Sequence, residues 1–102
     1  MSTDMKIAEE ILRQLGGNRF RVMTGAKAFT ATDNSLRMRI GRNSSNSNYL
    51  EITLNDLDLY DIVFAKVTRK GEMKSVKEYN GVYNDQLVPI FESHTGMYTK
   101  LF

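Results

Sequence analysis

Twice between Leu36 and Leu54 an apolar residue occupies every second position, first at Leu36, Met38 and Ile40, then at Leu50, Ile52 and Leu54. Successive side chains of an extended strand point to opposite faces, so a period of two buries one face and leaves the other to the intervening residues. Those are Arg37 and Arg39 in the first run, Glu51 and Thr53 in the second. A sheet wetted on one side fits antiparallel pairing, because parallel sheets need both faces covered. The constraint is strong: a slip of one residue would exchange the apolar and charged faces.

Other strands gather around these two. Ile62 to Thr68 and Met73 to Tyr79 read as a hairpin about Lys70-Gly71, and Ala28 to Thr32 as a weaker strand. The latter reaches Leu36 through Asp33-Asn34, two residues that tolerate the positive φ of a tight turn. Phe20, Val22 and Thr24 alternate with Arg19, Arg21 and Met23, which predicts a further strand with a hairpin turn at Thr24-Gly25-Ala26-Lys27. Asn43-Ser44-Ser45-Asn46-Ser47-Asn48 is a low-complexity loop tip. Asn55 to Asp61 is a turn-rich connection with room for one helical turn, and Met97 to Phe102 a short tail or edge strand.

Two segments keep the helical period instead. Met5, Ala8, Ile11, Leu12 and Leu15 recur at three-four spacing, with Asp4 placed to cap the first turn and Gly16-Gly17 to end the helix. Asp85 is placed to cap a second helix reaching His94, with Leu87, Ile90, Phe91 and His94 on one face and Gly96 as its stop. Pro89, the single proline, is tolerable there only near the first turn. The expected fold is α+β: helix, about six mainly antiparallel strands, helix, with both helices on one face of the sheet.

A chain of 102 residues with 41% hydrophobic and 25% charged residues is expected to form one domain spanning 1–102. The absence of cysteine excludes disulfides, thiolate metal ligands and cysteine nucleophiles. Met1 to Lys6 lacks the basic start and apolar run of a secretory leader, and no apolar stretch reaches membrane-spanning length. The expected location is therefore cytoplasmic.

Catalytic equipment is hard to find. His94 is the only histidine; Ser93 beside it points about 100° away on a helix, so the two form no nucleophile–base pair. The imidazole is expected to interact with carbonyls at the helix end. Thr24-Gly25-Ala26-Lys27 lacks the glycine spacing and the Lys-Ser/Thr pair of a phosphate loop. Asp56, Asp58 and Asp61 offer carboxylates to a hard cation, but without the glycine and final glutamate of a calcium loop. A metal-dependent enzyme built on them is the least favoured reading. The expectation is no catalytic residue, no metal ligand, no cofactor and no small-molecule substrate.

Charge carries more information. Net charge is only +2, yet residues 11–50 hold Arg13, Arg19, Arg21, Lys27, Arg37, Arg39 and Arg42 against the single acid Asp33. Residues 51–61 reverse the sign with Glu51, Asp56, Asp58 and Asp61. If both arginine-bearing strands bury their apolar sides in one core, Arg19, Arg21, Arg37 and Arg39 project from the open face of the sheet. With Lys27 and Arg42 they make the candidate binding residues, suited to an acidic protein surface or to nucleic acid. No aromatic ladder for single strands is evident, since Phe20 and Phe64 fall on buried patterns, leaving Tyr49, Tyr79 and Tyr98 scattered in sequence.

Several segments occur in a recognisable order: Leu15-Gly16-Gly17-Asn18-Arg19-Phe20, Met23-Thr24-Gly25-Ala26-Lys27, Asp58-Leu59-Tyr60-Asp61, Val82-Tyr83-Asn84-Asp85-Gln86-Leu87 and Thr95-Gly96-Met97-Tyr98-Thr99. In these the chain resembles a group of small, uncharacterised proteins of bacteriophages and integrated mobile elements. The resemblance implies an accessory gene acting inside a bacterial host cell, and supplies no catalytic residue to carry over. Small accessory proteins of that kind often act by binding, and some inhibit host defences such as CRISPR nucleases.

Overall fold

The computed structural model describes residues 6–41, 45 and 47–97. Among them, five strands form one antiparallel sheet in chain order: β1 (Lys27–Ala31), β2 (Ser35–Arg39), β3 (Tyr49–Leu54), β4 (Tyr60–Val67) and β5 (Met73–Val82). Such a meander follows from short connections, each strand returning beside its predecessor. The register keeps the predicted apolar faces in line: Leu36 opposes Ile52 and Ile52 opposes Ile62, while Met38 opposes Leu50 and Leu50 opposes Phe64. These six side chains are buried together.

Three helices cover that face. They are α1 (Lys6–Leu15), α2 (Asn18–Thr24) and α3 (Leu87–Thr95), the last preceded by a 3₁₀ turn over Asn84–Gln86. Ala8, Ile11 and Leu15 bury the stripe of α1. Leu87 and Phe91 do so for α3. Phe20 of α2 meets Phe91 edge-on at 5.1 Å between centroids, and Phe91 lies 6.2 Å from Phe64 of β4. Edge-to-face pairs add about 1 kcal/mol beyond the area they bury.

Among the described residues the sheet therefore has five strands, against the expected six or so, and the difference lies in residues 18–24. Period two placed Phe20, Val22 and Thr24 on one buried face. Instead Val22 is 74% exposed, while Phe20 and Thr24, four residues apart, are buried on one side of α2. The Thr24 hydroxyl donates to the Phe20 carbonyl at 2.6 Å, and Gly25 ends the helix at φ 69°. The turn at residues 24–27 is thus a helix cap leading into β1, not a hairpin.

Several other expectations need adjusting. Asp85 lies in the first turn of the 3₁₀ segment but does not cap it; the Gln86 side chain accepts the Tyr83 amide at 3.2 Å. Residues 55–59 form no helix but do hold a single hydrogen-bonded turn, the Asp58 amide donating to the Asn55 carbonyl at 3.1 Å. Asn55 closes them, its Oδ1 accepting the amides of Leu57 and Leu59 at 2.8 and 3.2 Å. The expected cap Asp4, the loop positions 43, 44 and 46, and the tail from residue 98 lie outside the described residues.

Both edge strands are irregular. β1 shifts register between Lys27 and Thr30, where Ala28 takes φ 57°. β5 shifts where Lys77 faces Phe64 and Ser75 faces Ala65, leaving Val76 as the extra residue of a bulge.

Candidate binding surface

Strand register decides where each basic side chain ends up. One row crosses the whole sheet: Lys27 faces Arg39, Arg39 faces Tyr49, Tyr49 faces Ala65 and Ala65 faces Ser75. Just beyond this row Lys66 faces Lys74, and the turn joining β4 to β5 carries Arg69 and Lys70. Lys27, Arg39, Lys66, Arg69, Lys70 and Lys74 thus gather at one end of the strands, with Glu72 as the acid among them.

The other end is acidic. Asp33 sits in the β1–β2 turn, Asp56 and Asp58 in the β3–β4 turn, Asp61 at the start of β4, and Asp85 just after β5. An eight-residue strand such as β4 separates the two ends by roughly 25 Å. That exceeds the ~8 Å screening length of physiological salt, so each end presents its own sign to an approaching partner.

The uncovered face of the sheet divides differently. Lys27 of β1 and Arg37 and Arg39 of β2 lie on it at one side. Glu51 of β3, Asp61 of β4 and Glu78 of β5 lie on it farther across, and they match the three cations in number. Arg37 faces Glu51, with Nε 3.5 Å from Oε2, and Tyr49 donates its hydroxyl to Oε1 of the same carboxylate at 3.0 Å. Burial, together with that bond to Glu51, pushes the Tyr49 phenol up to about 12. It remains a neutral donor at every physiological pH.

Arg19 and Arg21 are not on this face. Two residues apart on α2, they point about 200° from one another in the helical layer. The Arg21 guanidinium lies 5.6 Å from the Phe29 ring centroid. Arg19 borders a groove of about 440 Å³ shared with Gln14, Asp85, Val88 and Glu92. Of the six expected residues, the sheet unites Lys27, Arg37 and Arg39; Arg42 lies outside the described residues. Pairing outward from Lys70-Gly71 would have put Lys66 opposite Ser75. Instead the Thr68 amide donates to the Glu72 carbonyl at 2.8 Å, closing a three-residue loop over Arg69, Lys70 and Gly71, and that one-residue shift is what brings Lys66 opposite Lys74.

The single histidine behaves unexpectedly. Instead of turning to the helix-end carbonyls, the His94 ring stacks on Phe64 at 4.0 Å, and its Nε2 lies 3.3 Å from the hydroxyl of buried Ser47. Burial first, and the nearby charge of Lys77 second, hold the imidazole below its ordinary range. A serine and a histidine in contact suggest a nucleophile and its base, but Ser47 is 2% exposed and closed to substrate. The contact instead ties the β2–β3 loop to α3. Nothing in the spacing of residues 47 and 94 announces it.

The aspartates of the β3–β4 turn do not converge. Asp61 Oδ1 accepts hydrogen bonds from Asn55 at 3.2 Å and from the Gly81 amide at 3.1 Å, whereas Asp56 and Asp58 face solvent. Among the described residues no three carboxylate or imidazole groups stand close enough to share a metal ion. Nor is any helix among them long and apolar enough to cross a membrane. No family model, curated protein or solved structure matches the chain.

Proposed function

We propose that this chain is a non-enzymatic binding protein that holds an anionic macromolecular partner against the basic end of its sheet. The supporting observation is the gathering of Lys27, Arg39, Lys66, Arg69, Lys70 and Lys74 at one end of a molecule whose net charge is only +2. Cations clustered on a rigid sheet raise the local concentration of an anionic partner and orient it before contact. In its most specific form the proposal places the protein in the bacterial cytoplasm as a phage or mobile-element inhibitor of a host defence nuclease, a setting that rests on the family resemblance alone.

The test is charge reversal away from the core. Arg69, Lys70 and Lys74 are exposed, so Arg69→Glu/Lys70→Glu/Lys74→Glu should leave the melting temperature unchanged. The wild-type protein should be retained on immobilised heparin and elute with salt, while the triple variant flows through. Equal behaviour of the two proteins would overturn the proposal. For the defence setting, cells expressing the protein should protect an infecting phage from a CRISPR nuclease, and the variant should not.

A further inference from the structure

Beside its basic edge, the open face of the sheet carries an apolar strip. Val63, Ala65 and Val67 of β4 point to this side, alternating with buried Ile62 and Phe64, and Met73 of β5 stands opposite Val67. Ala65 is wholly buried even here, while Met73 is 55% exposed. Neighbouring strands lie about 4.8 Å apart, so roughly 10 Å separate the basic strip on β2 from the apolar strip on β4.

We infer that the partner seated on this face is a protein, namely an acidic segment with an apolar stripe, lying along β3. Its apolar side would rest on Val63, Val67 and Met73, and its carboxylates would meet Lys27, Arg37 and Arg39. This rests on the proposed anionic partner and narrows its class. A helix is about 10–12 Å across, enough to bridge the two strips while keeping its acids over one of them. Arg37 partly neutralises Glu51 beneath it, and the hydrogen bonds of Asp61 turn that carboxylate toward Asn55 and Gly81.

A nucleic acid fits the same face poorly. A duplex about twice as wide as a helix would lay phosphates over Glu51, Asp61 and Glu78 as well as over the arginines. A single strand would want aromatic platforms. Tyr49 is the aromatic side chain of this face among the described residues, half-buried, with its hydroxyl committed to Glu51. Three valine and methionine side chains, meanwhile, have nothing to gain from a phosphate backbone.

The experiment uses the full chain, ¹⁵N-labelled, with two fluorescent peptides of about 18 residues, five helical turns. One places leucines along one face of a glutamate-rich helix; the other has the same composition scrambled. A thymidine oligonucleotide of similar charge is the third probe. The ordered peptide should bind about tenfold tighter than the scrambled one, a difference of about 1.4 kcal/mol. It should shift the amides of β2 to β5, and it should bind more weakly to Met73→Lys and to Arg39→Glu. Equal binding of the two peptides, tighter binding of the oligonucleotide, or indifference to Met73→Lys would overturn the inference. If heparin retains the protein but the peptides do not differ, the basic end stands and only this assignment of partner fails; if nothing anionic is retained, both fail.

Discussion

At the level of single residues, His94 shows how a side chain takes its properties from its surroundings. Burial and, second, the proximity of Lys77 favour the neutral ring, so its pKa lies lower in the folded than in the unfolded chain. Between the two values the unfolded chain binds more protons, and stability rises with pH. The contribution of His94 is therefore complete above the ordinary value of about 6.5 and is lost as pH falls below it. Thermal melts of the wild-type protein should show a falling midpoint from pH 7 to pH 5. His94→Gln, which retains a donor for Ser47, should flatten that slope; an unchanged slope would show that other groups set it. Arg37 is the opposite case. Its pairing with Glu51 is half-exposed, the kind of contact worth no more than about 1 kcal/mol, so it contributes little to the stability of the sheet.

Among the elements, the contrast between β2 and α2 separates what local pattern could reveal from what it could not. β2 and β3 were legible because their alternation is long, and because the charged and apolar positions cannot be exchanged without inverting the sheet. Residues 18–24 alternate just as well, yet fold as a helix. Seven residues are too few for a period to be decisive, and glycines at 16 and 17 permit a second start directly after α1. A better sign was present. Phe20, Thr24 and Gly25 repeat the spacing of Phe91, Thr95 and Gly96, and in both places the threonine hydroxyl donates back to the phenylalanine carbonyl before a left-handed glycine ends the helix. A period of two makes residues 18–24 a strand and so puts Arg19 and Arg21 in the sheet, whereas they lie in the helical layer. The end of α2 also crosses the end of β2 closely: the Gly41 amide donates to the Thr24 carbonyl at 2.9 Å, and a methyl at position 41 would stand 2.8 Å from that oxygen. Gly41→Ala should therefore cost roughly 1–3 kcal/mol, read as a lower urea midpoint with an unchanged slope. A neutral result would show that this crossing gives way easily.

Across the whole molecule, charge segregation was only half visible in the sequence. Runs of like sign could be counted along the chain, but which runs share an end depends on the direction of each strand, and that is fixed only once the meander is known. Among the described residues the same meander leaves two strands with one unpaired side each, β1 and the ten-residue β5. Such edges invite pairing with another chain, and charged side chains and bulges are the usual deterrents. Here Ala28 bends one edge, while Val76 interrupts the other between Lys74 and Lys77. A concentrated solution should accordingly remain clear and monomeric by light scattering on prolonged storage. Lys74→Val/Lys77→Val, which restores an apolar edge, should turn cloudy or form thioflavin-positive fibrils; if it stays as clear as the wild type, the bulge alone is enough. The irregularity of the outer strands thus acts as a safeguard of solubility, a role separate from that of the open face.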